Sequence, residues 1–187
     1  MAGNTSEQAV VSMIALMSEN NALAGPVHSV AWRAPWLVNR AVQVTRNRPV
    51  IVGRRAFHYM NMLGADRWMF VVTRDEDLLE AGGNHHLSGY GFWFLPDLEA
   101  ALDAALRLAK TKSAPEVFVA GGASLYRQAL PRVQRVYRTV LHETLDDAPG
   151  LEPPALQGWR EVHAERRVKG GDGFPDQTYS VIERPSA

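Results

Sequence analysis

Three short segments carry groups suited to binding phosphate: Gly53-Arg54-Arg55, Thr73-Arg74 and Gly121-Gly122. Arginine presents forked donors to a phosphate, and threonine adds a hydroxyl. Paired glycines let the backbone approach a ligand closely, and a helix start after them offers unpaired N–H groups. Each segment alone is more often an ordinary strand end or turn. Together they favour the binding of a dinucleotide that bears an extra phosphate.

Each of these segments ends an apolar run without alternation, a pattern typical of a strand buried on both faces. Pro35 and Asp97 suit helix starts, and Pro131 suits a helix end. Ligands of open α/β sheets sit beyond the carboxyl ends of the strands, so we expect the three segments to converge. The pattern predicts a largely parallel α/β sheet finished by a C-terminal hairpin, with strands at 11–17, 49–53, 68–73, 91–95, 117–120, 134–142, 159–167 and 177–183.

Composition excludes several classes of protein and site. The 187 residues, 46% of them hydrophobic, are enough for one domain, predicted at 11–187 after a disordered extension at 1–10. Twenty basic and twenty acidic side chains cancel, so we expect no nucleic-acid or membrane partner. The absence of cysteine excludes disulfides and thiolate chemistry. The polar first residues lack a basic n-region, which favours a soluble, cytoplasmic protein. The balanced charge and the five tryptophans permit either a monomer or a homodimer.

Seven motifs follow one another along the chain: Ser18-Glu-Asn with Gly25, Trp32 with Pro35, Pro49-Val-Ile-Val-Gly-Arg54, Val71-Val-Thr-Arg74, Val119-Ala-Gly-Gly-x-x-Leu-Tyr126, Leu130-Pro131 and Val136-Tyr-x-Thr139. In this order and spacing they resemble the dihydrofolate reductase family over 11–184. The resemblance implies a mostly parallel eight-stranded central sheet with flanking helices and a C-terminal antiparallel hairpin, with NADPH as cofactor and a small molecule as substrate.

The resemblance also implies site residues. The adenosine-side phosphates would bind the basic segments, the nicotinamide would meet backbone of the first strand and its loop, and a cis peptide would join the two glycines. The implied cofactor residues are Leu16, Ala24, Arg54, Arg55, Thr73, Arg74, Gly121, Gly122, Ala123, Ser124, Leu125 and Tyr126. The implied substrate residues are Trp32, Trp36, Leu37, Arg40, Ala41, Met60, Arg67 and Thr139. The resemblance implies that Arg67 binds the glutamate tail of folate. The alternative is that Arg67 is a surface arginine beside Asp66.

One position departs from the family. The family's acid stands two residues after the proline of the Trp-containing loop, and Leu37 occupies that place here. No Asp or Glu occurs between Glu19 and Asp66, so shifting the alignment does not restore the acid. Without it, Tyr126, Thr139 and His28 are the candidate catalytic residues. No metal site is expected, because the adjacent His85 and His86 fall in a polar segment.

Dihydrofolate reduction needs a proton on nitrogen, which Leu37 cannot deliver. A substrate that is already an iminium ion, formed for example from a hemiaminal, needs no such proton. We therefore expect an NADPH-dependent reductase of a non-folate C=N carbon, for instance in an alkaloid-like natural product, with a role in antibiotic biosynthesis or self-resistance. The alternatives are a dihydrofolate reductase with a displaced proton donor, a non-catalytic NADPH- or drug-binding protein, and the pyrimidine reductase of riboflavin synthesis.

Overall fold

The computed structural model of the protein describes residues 9–20, 22, 35–62, 66–85, 89–144, 156–168 and 175–185. Its strands are β1 Val10–Ser18, β2 Pro49–Gly53, β3 Trp68–Val72, β4 Gly83–His85, β5 Gly91–Leu95, β6 Glu116–Val119, β7 Arg135–Leu141, β8 Arg160–Val168 and β9 Gln177–Glu183. Its helices are α1 Pro35–Thr45, α2 Arg54–Met62, α3 Glu76–Ala81, α4 Leu98–Lys112 and α5 Ala123–Ala129.

The strands form one mixed sheet in the order β4-β5-β3-β2-β6-β1-β7-β9-β8. The central strands from β5 to β7 run parallel, while β9 pairs antiparallel with both β7 and β8. The predicted α/β class, parallel sheet and C-terminal hairpin are confirmed. The described residues contain one further strand beyond the eight expected, the short edge strand β4, which pairs antiparallel with β5.

Two short elements were not predicted from the sequence. The segment before His85 was taken as a polar loop, but Gly83–His85 is β4. Gly83 permits this close pairing because a Cβ there would lie 2.2 Å from the carbonyl oxygen of Phe92. Helix α3 was also missed, and its six residues follow an N-cap at Asp75. The predicted N-cap of α4 is confirmed, since the Asp97 carboxylate accepts from the N–H of Ala100 at 2.8 Å.

Helices cover both faces of the sheet. On one face, α4 and α5 pack against alternate residues of β1, with Leu102 and Leu125 among the buried contacts. On the other face, Val44 of α1 and Phe57 of α2 pack against the second core cluster, which includes Val50. The helices that follow β1 and β2 therefore lie opposite those that follow β5 and β6. Such a change of face marks the carboxyl edge of β2, β6 and β1 as the expected ligand crevice.

Other expected features lie outside the described residues. These are most of the loop between β1 and α1, the turn of the C-terminal hairpin at 169–174, and His86. Residues 1–8 also lie outside them, whereas Ala9 packs against the core and β1 begins at Val10. None of the described helices has the length and apolar character needed to span a bilayer.

Candidate active site

The strand ends that were predicted to bind phosphate lie side by side. β3, β2 and β6 are neighbours in the sheet. The N–H of Gly53, the last residue of β2, donates to the carbonyl of Gly121 after β6 at 2.7 Å. Arg54, the next residue, forms an ion pair with Asp75 beyond β3, with 2.8 Å between Nη1 and Oδ2. These contacts confirm the convergence that the topology predicted.

The start of α5 offers backbone donors at this edge. Gly121 and Gly122 are joined by a cis peptide bond, and Gly121 has φ +117°. The carbonyl of Gly122 accepts from the N–H groups of Leu125 and Tyr126. No side chain of the described residues caps the helix, and a Cβ on Gly122 would meet nothing within 4 Å. The first N–H groups of α5 lack intrahelical acceptors, so this open edge suits the pyrophosphate of a dinucleotide.

Tyr126 is buried beneath the two glycines. Its hydroxyl donates to the carbonyl of Ile14 in β1 at 2.7 Å, and a Cβ on Gly121 would lie 3.3 Å from the same hydroxyl. Burial raises the pKa of Tyr126 well above its usual value of 10.0. The phenol therefore joins α5 to β1 as a neutral donor. The raised pKa and the hydrogen bond to Ile14 argue against Tyr126 as a source of a catalytic proton.

The cationic side chains follow two neighbouring strands, β2 and β3. Arg54, Arg55 and Arg74 are exposed, whereas Thr73 is 5% exposed. The hydroxyl of Thr73 accepts from the N–H of Asp75 at 3.1 Å. Three exposed guanidinium groups beside an open helix start fit the phosphates of NADPH. The carboxylate of Asp75 was not anticipated, because the sequence does not show that the chain turns back toward Arg54.

The substrate side of the site begins at β1 and β7. Leu16 is half-buried in β1 and lies in register with Thr139 of β7, which in turn lies opposite Tyr179 of β9. Thr139 is 6% exposed. Since directly opposed residues share a face of the sheet, Thr139 and Tyr179 point to the same side. Ala24, His28 and Trp32 lie outside the described residues, as do the side chains of Trp36 and Leu37 in the first turn of α1.

Arg40 connects α1 to that face. Its Nη2 donates to Glu165 Oε2 of β8 at 2.7 Å, and its guanidinium carbon lies 3.9 Å from the centroid of the Tyr179 ring. Its Nη1 is buried and has no hydrogen-bond partner among the described residues. The hydrogen bond from Arg40 lowers the pKa of Glu165, opposed by partial desolvation. Glu165 is therefore held as a carboxylate, and α1 lies over β9.

Arg67 is buried, with 1% of its surface exposed, so the alternative of a surface arginine is wrong. It lies just before β3, and its Nη1 is 3.4 Å from the carbonyl of Met60 in α2. Burial lowers the pKa of Arg67, partly offset by Asp66. Met60 is itself 3% exposed within the core cluster below α2. Ala41 is half-buried, and its carbonyl accepts from Thr45 Oγ1 at 2.6 Å.

One polar cluster at the carboxyl edge escaped the sequence analysis. Nδ1 of His142, just after β7, lies 2.6 Å from Oε1 of Glu19, just after β1. Nε2 of His142 lies 3.0 Å from Oγ1 of Thr178 in β9. Three strands bring these residues together, so no local spacing could have indicated them. Within the described ranges, no group of three or more His, Asp or Glu side chains could hold a metal ion.

Comparisons with known protein sequences all identify the same family. The sequence model of the dihydrofolate reductase family matches residues 10–184. The chain is 29% identical over 153 residues to dihydrofolate reductase type 3 of Salmonella typhimurium, covering 82% of this chain and 85% of that protein. It is 24% identical over 176 residues to dihydrofolate reductase of Staphylococcus haemolyticus, covering 93% and 95%.

The fold agrees with these sequence matches. Dihydrofolate reductase from Enterococcus faecalis, solved as a complex with NADP(H) and RAB-propyl, aligns with a TM-score of 0.70 at 20% identity, covering 96% of this chain and 98% of that one. With a family match over nearly its whole length, the chain belongs to the dihydrofolate reductase family of NADPH-dependent oxidoreductases.

Proposed function

We propose that the protein reduces a C=N carbon of a small molecule other than folate, in a form that is already cationic. NADPH supplies a hydride to the electrophilic carbon. The iminium carbon gains that hydride, the C=N π electrons pass to nitrogen as its charge is neutralised, and the product is an amine. No proton enters this balance. An alkaloid-like iminium, or a hemiaminal that has lost hydroxide, meets the requirement.

The observation that carries this proposal is Leu37 in the first turn of α1. The resemblance to the family assigns a carboxylic acid to this position, and its proton makes a neutral C=N electrophilic. Leucine has no ionisable group, and the sequence contains no acidic residue between Glu19 and Asp66. A substrate that carries its own positive charge makes the missing acid unnecessary.

Neighbouring carboxylates are poor replacements for that acid. Glu165 is the carboxylate that contacts a described side chain of α1, but Arg40 lowers its pKa and favours the ionised form. Glu116 accepts from Tyr137 at 3.0 Å and pairs with Arg135. It begins β6, at the amino edge of the parallel strands and opposite the predicted crevice. These arrangements support a site that does not rely on a protein carboxylic acid.

The chain's own residues would then bind and orient the substrate. Thr139 and Tyr179 share the face of the sheet toward which Arg40 of α1 extends. The resemblance to the family implies an aromatic residue at the position of Ala41, and the short alanine side chain leaves more room for a substrate. An amine product lacks the electrophilic carbon of its iminium precursor, so reduction would remove that reactivity. This chemistry suits a step in biosynthesis or in self-protection.

A matched pair of model substrates tests the proposal: an N-methyl dihydroisoquinolinium cation and the uncharged dihydroisoquinoline. Purified protein is mixed with NADPH and each compound, and the nicotinamide absorbance is followed over a range of pH. We expect turnover of the fixed cation with kcat/KM nearly independent of pH. We expect the neutral imine to be reduced only as the pH falls and the solution protonates it.

Dihydrofolate is the comparison substrate in the same assay. Rapid oxidation of NADPH with dihydrofolate at neutral pH, together with no turnover of the cation, would overturn the proposal. Tryptophan fluorescence, available from five tryptophans, reports NADPH binding separately from turnover. Binding without consumption of NADPH by either class of substrate would instead support a binding protein.

A second candidate is dihydrofolate reduction with a displaced proton donor. The observation that favours it is the Glu19–His142 pair, which places an imidazole at the carboxyl edge of β1 and β7. Buried Arg67 also keeps the cation that the resemblance assigns to a folate tail. His142→Gln tests this candidate, because a donor role for His142 predicts at least about a hundredfold loss of kcat with dihydrofolate. Unchanged kcat and pH profile in this variant would exclude His142 as the donor.

A further inference from the structure

Asp75 forms an ion pair with Arg54, one of the arginines expected to bind the phosphates of the cofactor. Nη1 of Arg54 donates to Oδ2 of Asp75 at 2.8 Å across the ends of β2 and β3. The side chain of Arg54 is 62% exposed and that of Asp75 is 33% exposed. A ligand at this edge can therefore reach the pair. It meets an arginine that is already neutralised, with a fixed negative charge beside it.

The position of the Asp75 carboxylate is fixed by its local contacts. Its Oδ1 accepts from the N–H of Leu78 at 3.3 Å, which caps α3. The backbone N–H of Asp75 donates to the hydroxyl of Thr73. One oxygen thus caps the helix while the other pairs with Arg54. Rotation away from Arg54 would break the cap, so the carboxylate stays beside the predicted phosphate site.

We propose that Asp75 sets the discrimination between NADPH and NADH. With NADPH, the ribose phosphate competes with Asp75 for the guanidinium of Arg54. The negative charge of Asp75 then repels the phosphate and weakens the binding of NADPH. With NADH, the ribose hydroxyl donates to the Asp75 carboxylate, as acidic side chains do in dinucleotide sites. Asp75 therefore reduces the difference in affinity between NADPH and NADH and allows NADH to bind. The inference rests on the assignment of Arg54 to the cofactor site.

The chemistry of the two partners explains the direction of the effect. A phosphate binds guanidinium through charge-assisted hydrogen bonds, and a neighbouring carboxylate both competes for those donors and repels the anion. A neutral ribose hydroxyl has no such conflict, because a carboxylate is a pure acceptor. Asp75→Asn removes the charge while keeping the size of the side chain. Asparagine is also as good an N-cap as aspartate, so α3 is retained.

Titrations of tryptophan fluorescence with NADPH and with NADH test the inference without any substrate. Relative to wild type, we expect Asp75→Asn to lower the Kd for NADPH about fivefold and to raise that for NADH about twofold. Asp77→Asn is the matched control, because Asp77 lies in the first turn of α3, is exposed, and makes no ion pair within the described part of the chain. Thermal unfolding of both variants confirms that the fold is intact.

The outcomes separate this inference from the cofactor assignment. Arg54→Gln is expected to weaken NADPH at least tenfold and NADH much less. An unchanged ratio of the two Kd values in Asp75→Asn, or the same change in Asp77→Asn, would overturn the role of Asp75. Arg54→Gln with unaltered NADPH binding would show that the ribose phosphate lies elsewhere, which removes the basis of the inference as well.

Discussion

Arg40 of α1 donates a hydrogen bond of 2.7 Å to Glu165 of β8, and this contact joins the helix that carries Leu37 to the edge strand of the sheet. The guanidinium also stacks on Tyr179, so one side chain spans the last two strands. Glu165 is 41% exposed, which limits the strength of the ion pair. The pair orients α1 over the predicted substrate face more than it stabilises the protein.

The first prediction concerns this ion pair. In a double-mutant cycle of Arg40→Met and Glu165→Gln, we expect a coupling free energy of about 0.5–1 kcal/mol in urea unfolding at neutral pH. The folded-state pKa of Glu165 is depressed, so this stabilisation is present above its usual value of 4.5 and is lost as the pH falls through the lower folded value. A coupling that grows on acidification would contradict the prediction.

The second prediction concerns the missing acid. Leu37→Asp restores a carboxylic acid in the first turn of α1, and we expect it to raise kcat/KM for dihydrofolate about a hundredfold above wild type, with activity falling at high pH as the acid ionises. Leu37→Asn is the matched control, since it has the same size and no ionisable group. Equal dihydrofolate activity in the two variants would show that polarity or space, rather than the proton, limits the reaction.

The third prediction separates the two glycines before α5. Gly121 has φ +117°, and a Cβ there would lie 3.3 Å from the Tyr126 hydroxyl, so Gly121→Ala should destabilise the fold by about 1–3 kcal/mol. Gly122→Ala adds a methyl group to open space, so its unfolding free energy should stay near that of wild type. The same methyl stands before the helix start and should weaken NADPH binding. Gly122→Ala with normal affinity would exclude close approach of the cofactor there.

The fourth prediction concerns Tyr126. Tyr126→Phe removes the buried hydrogen bond to Ile14 and should cost about 1 kcal/mol of unfolding free energy. Because burial raises the pKa of this phenol, it does not titrate near neutral pH. We therefore expect the pH profile of kcat/KM for the iminium substrate to keep its shape in the variant. A pH dependence of kcat/KM that differs between Tyr126→Phe and wild type would assign Tyr126 a role in proton transfer.

Much of the fold was determined by local sequence. Uniformly apolar runs such as 49–53 and 117–120 specify strands buried on both faces, because a half-exposed strand would alternate. Asp97 specifies a helix start, because its carboxylate satisfies an N–H that the helix leaves unpaired. The glycine pair after β6 and the arginines after β2 and β3 also follow from motifs whose order resembles the family. Element β4 and helix α3 were too short for periodicity to reveal.

Side-chain partners across the chain were decided only by the tertiary structure. The sequence left Arg67 either as a residue that binds a folate tail or as a surface arginine beside Asp66, and packing between α2 and β3 buries it. Glu19 and His142 are 123 residues apart and meet because β1 pairs with β7. Asp75 faces Arg54 because β2 and β3 are neighbours whose ends coincide. Local sequence specifies which apolar runs form buried strands and which atoms can bond, whereas only the strand order brings charges from distant segments within hydrogen-bonding distance.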